Sequence, residues 1–309
     1  MGVGMKDIDV LVVGELNVDL ILTGDLTPGF GQAEKLADDA ALTLGSSSAI
    51  FACGATRLGL KVAFIGKVGD DDFGRVVRRS LAERGIDTSG VVVDPAVKTG
   101  LSVILSRPDD RAILTHLGSI AALRYAEIDQ SLLLRARHLH LGSYFLLDSL
   151  RPDVAQLFAE AHRQGLTTSL DTNYDPQENW DDGLPEVLAH TDIFMPNETE
   201  LHAISGEADL DTALEKMVKN GPLVAVKLGP KGGLARRGDE IVQVSSIPVD
   251  VVDTTGAGDS FDAGFIYGYL AGWGLEKSLR LACVCGSLST RAAGGIMAQA
   301  TLAEALAVM

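Results

Sequence analysis

Cysteine, aromatic side chains and positive charge are all scarce in this 309-residue chain. The three cysteines, Cys53, Cys283 and Cys285, are an odd and irregularly spaced set. They make neither a disulfide framework nor a zinc motif, and they read as reduced thiols packed in the core of a cytoplasmic protein. Lys and Arg number 26 against 42 Asp and Glu, a net charge of −16. Such a surface repels nucleic acid and anionic membranes, so neither is expected as a partner. A nucleotide or other polyanion would need backbone dipoles or a metal to overcome that field. No apolar run approaches the length of a membrane span. The opening MGVGMKDIDVLVVGELNVD has no long apolar stretch behind a basic start, so a secretory leader is not expected. Aromatics are only 5% of residues while apolar residues reach 46%. That implies an aliphatic core large enough to fold without staples.

What is present is an alternation. IDVLVVG (8–14) is a short apolar β-branched run that reads as a buried strand, and KVAFIG (61–66), ARHLHLG (136–142), LTTSLD (166–171), TDIFMP (191–196) and PLVAVKLG (222–229) read as further strands. Between them, residues 48–60, 71–85, 151–165 and 197–205 have helical patterning, with Gly59, Gly85 and Gly165 at or beside the ends. Strands alternating with helices predict an α/β fold, a parallel sheet covered on both faces, with ligands beyond the carboxyl ends of the strands. Two stretches break the pattern. Residues 15–44 and 88–118 hold VDLIL, SGVVVD, GLSVILS and RAILTHLG with no helix between the last three. They predict a small antiparallel β lid. The α/β domain then comprises residues 1–14, 45–87 and 119–309.

The stretch DTTGAGDSF (253–261) follows a strand-like segment, IVQVSSIPVDVV, and precedes a helical one, SFDAGFIYGYLAGW. Gly256, Ala257 and Gly258 therefore fall at a helix start. There the unpaired N–H groups and the positive end of the dipole favour an anion, and minimal side chains let it come close. Asp259 lies in the first turn beside that site, where a carboxylate could take the proton of an attacking hydroxyl. The same residues would also serve as an ordinary glycine-rich cap with a dipole-friendly acid. Asn197 and Glu200, three apart at another helix start, share a face and could equally be an N-cap and its capping-box partner. The imidazoles of His138 and His140 lie on one strand face without an evident third ligand, so zinc is not expected. Arg107 and Arg111 flank SRPDDRA, which reads as a solvated hairpin tip.

Residues 253–265 resemble, position by position, the second signature of the ribokinase-like (PfkB) carbohydrate kinases. Other features of that family follow in order: GELNVD (14–19), KVGDDDFG (67–74), PNETE (196–200), VKLGPKGG (226–233) and GSLSTRAAGG (286–295). The resemblance implies a ribokinase-like nucleotide-binding domain and ATP-dependent phosphorylation of a hydroxyl on a small sugar or polyol. Asp259 would be the general base and the Gly256–Gly258 backbone the anion hole. It implies acceptor contacts from Asn17, Asp19, Gly45 and Ser46, and nucleotide contacts from Lys227, Gly229 and Gly232. Asn197 and Glu200 would organise Mg2+ through water, and Asp253 and Thr255 match positions that can supply oxygens to K+. Ser143 and Tyr144 fall in a region that helps line the sugar pocket. A homodimer through the lid is also implied. The chain departs from the family at its first signature, Gly-Gly-x-x-x-Asn. Here GSSSAI places Ser46 at the second glycine and Ile50, which cannot hydrogen-bond a hydroxyl, at the asparagine. DTNYD (171–175) is a second altered stretch. Asp171 and Asn173 could still face the site from a strand end. The acidic composition weighs against a phosphorylated acceptor. Two alternatives remain open: a nucleoside kinase of the same family, and a non-catalytic sugar or nucleotide sensor on this fold.

Overall fold

The run IDVLVV has no charged residue after Asp9, and it forms β1 (Ile8–Val13), the strand on which the molecule is organised. Its alternate side chains enter two separate cores, Val10 and Val12 one, Leu11 and Val13 the other. That two-sided burial is what a parallel sheet sandwiched between helices requires. The computed structural model describes residues 6–107, 111–219 and 221–309. The further strands are β2 (Asn17–Thr23), β3 (Asp39–Leu44), β4 (Val62–Gly69), β5 (Asp87–Asp94), β6 (Gly100–Ser106), β7 (Arg111–His116) and β8 (Ala136–Gly142). They continue with β9 (Thr167–Asp171), β10 (Ile193–Phe194), β11 (Leu223–Lys227), β12 (Gly233–Arg237) and β13 (Glu240–Val244). The helices are α1 (Ser47–Arg57), α2 (Asp72–Glu83), α3 (Gln130–Arg135), α4 (Val154–Arg163), α5 (Leu184–Leu188), α6 (Glu198–Ser205), α7 (Leu210–Val218), α8 (Ala257–Leu270), α9 (Leu275–Ser289) and α10 (Leu302–Val308).

The large sheet has the order β13-β12-β11-β10-β9-β8-β1-β4-β5 and is parallel from β5 through β11, with β12 and β13 added antiparallel. Helices α1, α8 and α9 cover one face, α3 to α7 the other. The small sheet, β3-β2-β6-β7, has antiparallel outer pairs around a parallel β2–β6 pair. Three expectations need correction. SGVVVD is part of β5, which pairs in parallel with β4. Residues 88–94 therefore complete the edge of the large sheet and not the lid. TDIFMP contributes only Ile193–Phe194 as strand. The segment 241–252 is strand only to Val244. Beyond it Val252 and Asp253 donate their N–H groups to Thr290 O, so the chain hangs from the end of α9 and not from a sheet neighbour. The expected hairpin tip at 108–110 lies outside the described residues.

Candidate active site

The carboxyl ends of β1, β9 and β11 open into a cavity of about 490 Å3 that the small sheet covers. Such a volume suits a small ligand. The α/β side contributes Glu15, Ser46, Ser47, Ile50, Asp171, Asn173, Asn197, Glu200, Lys227, Gly258 and Asp259. The small sheet contributes Asn17 and Asp19 from β2, Ser102 and Ile104 from β6, and Ile113 and Thr115 from β7. These are the side chains that the strand period of two puts on one face. A second cavity, about 350 Å3, lies next to it and is walled by Pro230, Ile247, Pro248, Val249, Val251 and Phe261, with Ser246, Ser287 and Thr290 as hydroxyls. Lys227, Gly229, Thr254 and Gly258 line both.

The glycine-rich start of α8 stands at that junction. Gly256 is the N-cap with φ +72°, a left-handed conformation that L side chains avoid. A Cβ there would also lie 2.8 Å from Ile50 Cγ2 and from Gly295 Cα. Ala257 N–H is already bonded to Thr254 O at 3.2 Å. The helix-start role therefore falls on the amides of Gly258 and Asp259, whose first-turn positions have no intrahelical acceptor. The helix begins at Ala257, three residues earlier than the pattern suggested, which makes Asp259 its third residue. The Asp259 side chain is 8% exposed and faces the cavity. Burial, then Asp171 and Glu15, push its pKa well up, against Lys227 and a hydrogen bond from Ser47.

Opposite Asp259, Asn17 Nδ2 donates to Asp19 Oδ1 at 2.9 Å. Gly45 lies behind this pair and outside the cavity wall. A Cβ on it would sit 2.2 Å from Asp19 Oδ1 and 2.4 Å from Asn17 Nδ2. Ser46 caps α1 with φ +74°. Its Oγ accepts from Ala49 N at 2.9 Å and donates to Glu15 O at 2.6 Å. Asn197 and Glu200 form the capping box: Asn197 Oδ1 accepts from Glu200 N, and Glu200 Oε2 from Asn197 N, both at 2.9 Å. They also line the cavity, so cap and site residue coincide. Burial and the Asp171 charge push Glu200 up to about 7. Asp253 Oδ1 accepts from Thr255 N and Oγ1, and Asp253 Oδ2 accepts from Gly294 N at 2.8 Å, joining the 253–255 stretch to the segment after α9. Gly232, with φ +98°, lines the apolar cavity.

Two residues expected near the sugar pocket, Ser143 and Tyr144, do not line the cavity. Tyr144 is fully buried and donates to Asp182 O, a core residue and not a pocket wall. Ser143 donates to Glu15 Oε1 at 2.9 Å, behind the cavity wall. His138 and His140 are buried and both bond Ser169 Oγ, and burial lowers each to about 3. Other residues were missed. Glu15 is 3% exposed, with its carboxylate held by Ser48 and Ser143. The signal was available: an acid directly after an apolar strand. Asp262, one helical turn past Asp259, is bound to Lys227.

The family model described as pfkB family carbohydrate kinase matches residues 7–301. An ATP-dependent ribose-1-phosphate kinase of Halopiger xanaduensis is 33% identical over 284 residues, 91% of each chain. A 5-dehydro-2-deoxygluconokinase of Geobacillus kaustophilus is 30% identical, covering 97% of this chain and 92% of its own. A putative ribokinase II from E. coli, solved with ATP and Mg2+, superposes with a TM-score of 0.84 at 26% identity over 97% and 98% of the two chains. The same score and identity hold for Arabidopsis thaliana ribokinase with ribose and ATP. Across nearly its whole length, the chain belongs to the pfkB family of carbohydrate kinases.

Proposed function

We propose that the chain transfers the terminal phosphoryl group of ATP to a hydroxyl of a small, uncharged sugar or polyol, with Asp259 as the general base. One observation carries this reading: a carboxylate nine-tenths buried faces the polar cavity from the first turn of α8, where that cavity meets an apolar one. The apolar cavity suits a nucleobase. The amides of Gly258 and Asp259 suit the phosphate end, because they sit at a helix start behind the unobstructed Gly256–Gly258 backbone. Asp259, desolvated and flanked by acids, is a strong base once ionised, and it accepts the proton of the incoming hydroxyl. Asn197 and Glu200 offer the oxygen-only donor set that Mg2+ takes with retained waters. The ion would offset phosphate charge in this acidic surrounding. Asp253 and Thr255 would hold K+. The lid sheet would close over the cavity and exclude water.

The acceptor side favours an uncharged polyol. Asn17, Asp19, Ser47, Ser102, Thr115 and Asn173 offer amides, hydroxyls and carboxylates, and Lys227 is the one cation among the described lining residues. The test is turnover over a panel of sugars, nucleosides and sugar phosphates, with Asp259→Asn alongside. A neutral sugar should be phosphorylated, and Asp259→Asn should lose activity by about three orders of magnitude or more while still binding ATP. Best turnover on a nucleoside would move the acceptor class. Ligand-induced stabilisation without turnover would make the chain a sensor. Unchanged turnover in Asp259→Asn would remove Asp259 as the base.

A further inference from the structure

In the cavity wall, one lysine meets two aspartates. Lys227 Nζ lies 2.8 Å from Asp171 Oδ2 and 3.2 Å from Asp262 Oδ2. Asp262 is 1% exposed and Asp171 5%. The two carboxyl groups thus converge on the one ammonium. Asp262 Oδ1 nonetheless finds no donor among the described residues. The charged groups around Asp262 are Lys227 from β11, Asp171 from β9 and Asp259 from its own helix, and Glu200 from α6 acts on the same Lys227. If both aspartates were ionised, one lysine would leave a net negative charge in the interior, and an uncompensated buried charge is strongly destabilising. It would also stand where an anionic group must approach, since Lys227 Cδ lies 3.3 Å from where a Cβ on Gly258 would be.

We propose that Asp262 is a positioning residue that works as a neutral carboxyl: it shares one proton with Asp171 and, through that bridge, fixes the Lys227 ammonium at the wall between the two cavities. Asp171 keeps the negative charge, Asp262 the proton, and the triad is neutral overall. The pKa directions agree. Burial raises both acids, but Lys227 overcomes it for Asp171, which ends lowered, while Asp262 ends well above the usual carboxylate range. Lys227, penalised by burial, is held charged by Asp171, Asp262 and Glu200. The ammonium thereby stays presented to a phosphoryl group.

The kinetic arm of the test rests on the phosphotransferase reading, and the spectroscopic arm does not. Asp262→Asn keeps a donor for Asp171 and an acceptor for Lys227 in the same shape. It should retain kcat within about threefold and leave the acid limb of the pH–rate profile in place. Asp262→Ala breaks the bridge. It should lower kcat by about tenfold or more, change both KM values by less than about threefold, and move the acid limb. At neutral pH the infrared carbonyl band of protonated carboxyl groups should lose the intensity of one group in Asp262→Asn. If Asp262→Asn loses as much kcat as Asp262→Ala, the residue is needed as an anion and the proposal falls. It falls equally if Asp262→Ala lowers only the melting temperature, or if the infrared band is unchanged. Should the wild-type chain phosphorylate no acceptor, the infrared result alone decides whether the proton is there.

Discussion

Gly45→Ala would separate acceptor binding from nucleotide binding by a single methyl group. The new Cβ would stand 2.2 Å from Asp19 Oδ1 and 2.4 Å from Asn17 Nδ2, well inside the 3.0 Å that real Cβ atoms respect. Both obstacles are the ends of side chains, so they can swing aside while the backbone stays. To do so they must give up their mutual 2.9 Å hydrogen bond and turn from the cavity they now line. The stability cost is one hydrogen bond, about 1 kcal/mol, plus off-rotamer strain of about 1 kcal/mol per side chain. The functional cost is larger. Two polar contacts to acceptor hydroxyls at about 1 to 2 kcal/mol each amount to roughly 30- to 1000-fold in kcat/KM for the acceptor. Nothing on the nucleotide side is touched. Initial rates with acceptor varied at saturating ATP, and nucleotide binding followed separately, check this. The expected result is a large acceptor defect with ATP affinity within about threefold of wild type. An unchanged acceptor KM in a folded Gly45→Ala would refute the assignment of Asn17 and Asp19 as acceptor contacts.

Two further outcomes follow from the geometry. Glu200 is held at about 7 in the fold against an ordinary 4.5, so its native carboxyl keeps a proton that the unfolded chain releases. Its share of stability is complete below about pH 4.5 and is lost as pH rises through about 7, by an upper bound of about 3 kcal/mol. Melting curves in Mg2+-free buffer between pH 5 and 8 should therefore fall more steeply for wild type than for Glu200→Gln, and parallel curves would refute it. The face of the small sheet opposite the cavity carries Leu42, Leu20, Val103 and Leu114 side by side, with Leu42 46% and Leu114 64% exposed. We propose that a second copy covers it. Light scattering should give a dimer for wild type and a monomer for Leu114→Asp, and a wild-type monomer would dismiss the idea.

Much of the fold was legible because local pattern and tertiary need coincide. Strands β1 and β11 are buried on both faces and read as near-continuous apolar runs, and DTTGAGDSF names its own helix start. The failures are equally physical. IVQVSSIPVDVV has apolar alternation, yet Ile247, Pro248, Val249 and Val251 wall the cavity we assign to the nucleobase. The pattern is real, but its apolar partner is a cavity and not a sheet. SGVVVD could not reveal that it pairs with β4, since pairing is non-local. For the same reason the triad was invisible: Lys227 lies 56 residues from Asp171 and 35 from Asp262. Only the crossing of β9, β11 and α8 brings the three together.

Ile50 shows how the altered first signature can be tolerated. It is 3% exposed and lies where a Cβ on Gly256 or Gly295 would collide with it, so it packs against the backbone at the start of α8. An apolar residue there stiffens the α8 start but removes an amide from the cavity. The hydrogen-bonding work is taken up by the neighbouring serines. Ser47 lines the cavity with Asp259 and accepts from Asn173 Nδ2 at 3.1 Å, while Ser46 and Ser48 hold Glu15 at the end of β1. Glu15 in turn raises Asp259. The change at position 50 and the run of three serines before it thus form one adjustment. It moves polar contact from the side chain of α1 that touches α8 to the first turn of α1, where it reaches the proposed base directly.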